Sequence, residues 1–181
     1  MKGIVFNEFL TMVESVFDED MVDDILDSVE LPSGGAYTSV GTYSHNELVA
    51  MVVELARRSE TPAADLVKAF GKHLAGVFSS KYAGFFEECD NTLAFLKKID
   101  DHIHVEVKKL YPDAELPEFS YDDSNSDTFE LEYSSSRGFA DLAEGLMEGV
   151  ADHYGETFQI GREDLSGGDN THVKFTLARE Q

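Results

Sequence analysis

At 181 residues the chain is long enough for one domain with a real core, and 42% hydrophobic residues with 13 Phe suit a roomy apolar interior. A formal net charge of -22 repels phosphate backbones and anionic lipid. Nucleic acid and membrane surfaces are therefore set aside as partners, and a basic patch on another protein is the natural counterpart. A single cysteine, Cys89, excludes an internal disulfide and every multi-thiolate metal site. MKGIVFNEFL is broken by Asn7 and Glu8, and no stretch approaches the ~20 apolar residues of a membrane span, so a soluble cytoplasmic protein is expected.

Val5, Phe9, Met12, Val13, Val16 and Phe17 recur at helical spacing and predict a first amphipathic helix. DEDMVDDILDSV predicts a short acidic second helix, and LPSGGAYTSVGTYS a connection ended by a capping box of Ser44 and Glu47. Leu48, Val49, Val52, Val53, Leu55 and Ala56 carry the next helix. Thr61 and Pro62 open another as N-cap and first-turn proline, running through Leu66, Phe70, Leu74 and Phe78. A long helix is expected over 91–110, stopped near Pro112. Beyond Pro117 the pattern changes to a strand over 128–133, a helix over 139–153, and strands over 157–162 and 172–178 separated by SGGDN. Helices followed by strands indicate an α+β fold with a helical N-terminal subdomain and a small antiparallel C-terminal sheet.

Of the six histidines, none sits in HExxH or another paired-ligand spacing. His102 and His104 stand roughly 200° apart around a helix, so they cannot share one site. His104 has Val107 and Tyr111 as helical neighbours and lies nearer the apolar side. His102 has Lys98, Glu106 and Lys109 and lies nearer the wet side, which tilts the choice without settling it. The second constellation is YSSSR at 133–137. In an extended segment Tyr133, Ser135 and Arg137 share a face, and two hydroxyls beside a guanidinium fork make a carboxylate receptor. Short matches of this kind also occur at ordinary strand ends.

Together these features resemble the H-NOX (heme nitric-oxide/oxygen-binding) family, which includes the heme domain of soluble guanylate cyclase. The resemblance runs through MKGIVFNEFL, FGKH at 70–73, HVEVKKLYPDAELPEF at 104–119, YSSSR, and AEGLMEG at 143–149. In that family the proximal histidine stands seven residues before the Tyr of a Tyr-Pro pair, and seven before Tyr111 is His104. One departure is that Phe95 and Leu96 sit a residue further upstream of His104 than in some members, which implies a bulge in the helix. The resemblance implies a stand-alone bacterial domain over 1–181 holding heme b (iron protoporphyrin IX) between its subdomains. His104 would be the one protein ligand to iron, and Tyr133, Ser135 and Arg137 the propionate receptor. Pro117 would press on the macrocycle, and Val5, Phe78 and Leu146 would wall it. Gly71 would either admit the porphyrin or pack helices.

Oxygen-binding members hydrogen-bond the gas from a distal Tyr; the matching position here is Leu142, with Leu74 and Phe9 at the supporting Asn and Trp positions. A buried hydrogen bond to polarised oxygen is worth about 1–3 kcal/mol, roughly ten- to a hundred-fold in affinity. NO and CO lose less, so the resemblance implies an NO sensor that excludes oxygen, unless His73 or Tyr154 enters the pocket. On NO binding the His104 bond would weaken and the subdomains would shift. The signal would pass from a monomer to a separate histidine kinase or cyclic-di-GMP enzyme. A heme enzyme needs distal acid–base groups or a thiolate ligand, which Leu74, Leu142 and Phe9 do not offer, so no enzyme activity is expected. A heme-free ligand-binding or interaction module is the alternative, and nothing would oblige it to keep His104 and the YSSSR residues.

Overall fold

A computed structural model describes residues 1–179. The chain divides into two compact units, Met1–Phe70 and the part from Gly71 onward.

The first unit is helical. It contains α1 (Gly3–Val16), α2 (Glu19–Ser28), α3 (His45–Ser59) and the first two turns of α4 (Ala63–Lys81). Phe6, Phe9, Met12 and Val13 repeat at three- and four-residue steps on α1. They are buried, as are Ile25 of α2, Leu48, Met51 and Leu55 of α3, and Leu66 and Phe70 of α4. Asp18 caps α2 by accepting from the Met21 amide at 2.8 Å. The expected capping box forms only in part. Ser44 accepts from the Asn46 amide, but the Glu47 carboxylate does not reach back to it. Instead Glu47, buried, takes the hydroxyls of Ser33 and Tyr37. A buried carboxylate needs donors, and the long α2–α3 connection supplies them. Tyr37 is pushed up to about 12, first by its own burial, with Glu47 adding to the shift. The Thr61 hydroxyl likewise donates backward to the Ser59 carbonyl, where an N-cap would accept.

The second unit joins the rest of α4 to α5 (Ala83–Glu87), α6 (Thr92–Lys97), a π-helical turn (Ile99–Ile103) and α7 (His104–Leu110). Strands β1 (Glu118–Asp122), β2 (Thr128–Ser134), β3 (Phe158–Asp164) and β4 (His172–Arg179) surround α8 (Ala140–Tyr154) in sequence. The sheet is antiparallel in the order β1-β2-β4-β3. Alternation puts Phe129, Leu131, Tyr133, Val173, Phe175 and Leu177 on its inner face, in one core with Ala143, Met147 and Val150 of α8 and with Phe86, Phe95 and Leu96. The expected helix over 91–110 is two α-helical pieces, α6 and α7, with the implied bulge between them as the π turn. Helix α5 and strand β1 were not expected. β1 is an edge strand with only Phe119 partly buried, so it shows no apolar alternation.

Within this unit α4 and α8 approach at small residues. A Cβ on Gly71 would lie 2.3 Å from the Leu142 carbonyl oxygen, and one on Gly149 would lie 2.5 Å from the Ala75 Cβ and 2.9 Å from the Lys72 oxygen. Of the two readings of Gly71, helix packing is the one with a contact behind it. Gly149→Ala is expected to lower the thermal midpoint, although alanine gains about 1 kcal/mol of helix propensity, because overpacking against backbone costs about 1–3 kcal/mol. A raised midpoint in a calorimetric scan would contradict so close a crossing.

Candidate functional site

The π turn decides where the two adjacent histidines point. Its wide hydrogen bonds run from the Ile103 amide to the Lys98 carbonyl, 3.0 Å, and from the His104 amide to Ile99. The added residue lets Phe95 and Leu96 stay in the core while His104 turns inward, its side chain 17% exposed. His102 is 42% exposed, its Nε2 3.2 Å from the Glu88 carboxylate. This separates the two histidines that helical neighbours alone left open.

His104 Nδ1 lies 2.8 Å from Asp100 Oδ1. A carboxylate at neutral pH only accepts, so Nδ1 carries the proton and Nε2 presents its lone pair. Burial lowers the imidazole pKa, outweighing the opposing pull of Asp100, and the Lys108 charge adds to the fall. The ring is therefore neutral, as a metal ligand must be. It packs on Phe119 at 5.9 Å between ring centres, and Phe119 packs on Tyr133 at 5.6 Å. Pro117, two residues before Phe119, shares with His104 and Val105 the wall of a groove of about 420 Å³. Glu118, Glu132 and His172 also line this groove, whose charge suits water and not an apolar macrocycle.

Tyr133 ends the inner face of β2. Its hydroxyl accepts from the Phe139 amide at 3.0 Å and bonds Ser135, while burial raises its pKa. The extended-face reading holds only as far as Ser134, where the strand stops. A turn through Gly138, at φ +65°, then brings Arg137 close enough for its charge to act on Tyr133, so the three residues do converge. The Arg137 guanidinium, 15% exposed, holds the Glu115 carboxylate, itself 79% exposed, and the Glu115 carbonyl at 3.1 Å. A carboxylate thus already stands in the fork where a propionate was expected, carried on a side chain with room to leave. The donor set fits heme: one neutral imidazole nitrogen, and two hydroxyls with a guanidinium that accept a carboxylate.

The expected wall residues lie on three helices. Phe9 is fully buried in the first unit, edge-on to Phe70 at 5.3 Å, and Val5 is half-buried on α1. Leu74 is buried on α4 with Phe78 half-buried one turn later, and Leu142 and Leu146 are half-buried one turn apart on α8. Tyr154 donates its hydroxyl to the Phe86 carbonyl at 2.7 Å, with its pKa pushed up to about 12 by burial; that proton is committed. His73 is half-buried on α4 beside Leu74. Sequence reasoning missed Asp100 and Glu115. An acid four residues before His104 was a readable signal for the first, whereas Glu115 had none.

These features define a protein that offers one neutral histidine nitrogen to a metal and a receptor for carboxylates on an α+β scaffold. Residues 2–162 match the Haem-NO-binding family, and the chain belongs to that heme-binding family. It is 36% identical to an unliganded Fe(II) H-NOX protein from K. algicida, covering 100% of this chain and 97% of that one at a TM-score of 0.94. An H-NOX protein from S. oneidensis in the Fe(II)NO state is 30% identical over 100% of both chains, TM-score 0.92. One from Shewanella woodyi in the Fe(II)CO state is 40% identical over 99% of this chain and 95% of that one, TM-score 0.85. Curated protein sequences gave no match. Among the described residues no helix is long and apolar enough to cross a membrane.

Arg137→Ala is expected to speed heme transfer to an acceptor protein about ten- to a hundred-fold, since a charge-assisted bond to a carboxylate contributes about 1.5–3 kcal/mol. Glu115→Ala should not speed it. Equal rates for wild type and Arg137→Ala would remove Arg137 from the propionate receptor.

Proposed function

We propose that this protein is a cytoplasmic heme b gas sensor that takes NO and CO, discriminates against oxygen, and reports to a separate histidine kinase or cyclic-di-GMP enzyme. The observation that carries the reading is the His104 imidazole, neutral, with its proton committed to Asp100 and its Nε2 lone pair free for a metal. Relatives in Fe(II)NO and Fe(II)CO states support gas binding by a chain of this family. Bound heme would supply a ferrous iron able to take a diatomic gas. His104 would hold the iron. Tyr133, Ser135 and Arg137 would hold the propionates, in place of the Glu115 carboxylate at Arg137. Pro117 would bear on the macrocycle, and Val5, Phe78 and Leu146 would wall it.

Leu142, Leu74 and Phe9 carry no hydrogen-bond donor, so nothing at those positions favours the polarised oxygen adduct over NO. The same trio moves no proton, which makes the reading a sensor and not an enzyme. A monomer suffices, since every proposed contact to the cofactor comes from one chain.

Two substitutions test this. His104→Gly should change the spectrum of the ferrous protein, and an unchanged spectrum would remove His104 as the ligand. Leu142→Tyr should raise oxygen affinity roughly ten- to a hundred-fold by adding a donor. An oxygen titration with no gain would dismiss Leu142 from the distal side.

A further inference from the structure

Asp100 has both carboxylate oxygens engaged. Oδ1 accepts from His104 Nδ1 at 2.8 Å, and Oδ2 accepts from the Phe119 amide at 2.9 Å. One side chain thus joins the helix bearing His104 to the first residues of β1, two positions beyond Pro117. The two stand four residues apart, side by side along the helix: Asp100 is the second residue of the π turn and His104 the first of α7. The neighbouring carboxylate, Asp101, is exposed and holds neither partner.

We infer that Asp100 is a positioning residue for the cofactor, fixing the ring plane and tautomer of His104 and strengthening Nε2 as a donor while locking the ring to the Pro117–Phe119 segment. A hydrogen bond from the non-ligating nitrogen to a carboxylate fixes the ring and raises its basicity. Because the second oxygen is held by backbone, the carboxylate cannot rotate off His104 without leaving the Phe119 amide unpaired, which costs free energy in a part-buried position. His104 and β1 therefore move together. This rests on the proposal that His104 holds heme iron.

Asp100→Asn separates this role from simple packing. Its amide matches the carboxylate in shape but replaces one acceptor oxygen with an NH2 donor, so it no longer accepts from His104 and Phe119 on separate oxygens. The measurement is resonance Raman of the five-coordinate ferrous protein, where the iron–histidine stretch reads the donor strength of Nε2. The wild-type band should lie above that of Asp100→Asn, with Asp100→Glu between them or restored. A band at the same frequency in wild type and Asp100→Asn would overturn the inference while leaving heme binding intact. Wild-type protein without a heme band at all would instead overturn the ligand reading on which it rests. If Asp100→Asn does not retain heme, proton NMR of the wild-type ferrous CO complex decides. A downfield, slowly exchanging His104 Nδ1 proton upholds the hydrogen bond, and a rapidly exchanging one overturns it.

Discussion

A half-hidden imidazole can hold a metal only if its other nitrogen has somewhere to put a proton, and in this chain that place is Asp100. The arrangement of the second unit follows from that need. Asp100 and His104 stand four residues apart, on the same side of the helix, and β1 supplies the amide that steadies the carboxylate. Phe119, whose backbone makes that bond, also places its ring between His104 and Tyr133. His104 and Tyr133 thus both pack against one residue of β1.

Much of this was legible in the residues. The helical spacing on α1 and α3 and the switch to strands beyond Pro117 follow from period, whereas His104, Tyr133, Ser135 and Arg137 are singled out through the family resemblance, since helical neighbours leave His102 open and the short motif alone is weak. What escaped shares a physical cause: short elements stabilised by partners distant in sequence. β1 buries little more than Phe119, and its pairing with β2 determines it more than any pattern of its own. Glu47 carries the spacing of a capping box, yet half-buried hydroxyls from the α2–α3 connection outcompete the helix terminus for its carboxylate. The convergence of Ser135 and Arg137 on Tyr133 comes from a turn and not from strand alternation, which stops at Ser134.

The acidic surface also acts locally. Of 14 basic residues, Arg137 is spent on Glu115, and Arg162 on Asp141 and Glu144, the second pair tying α8 to β3. Among the described residues the partly buried guanidinium groups of Arg58, Arg137 and Arg162 each hold a carboxylate. An exposed partner such as Glu115 is the kind that a stronger anionic ligand displaces at little cost.

The most direct test is the absorption spectrum of purified, reduced protein, first in air and then with NO. A stable five-coordinate ferrous heme that ignores oxygen and takes up NO is the expected result. A persistent oxygen-bound spectrum in air would contradict the oxygen-excluding assignment, and absence of a Soret band would contradict heme binding through His104 altogether.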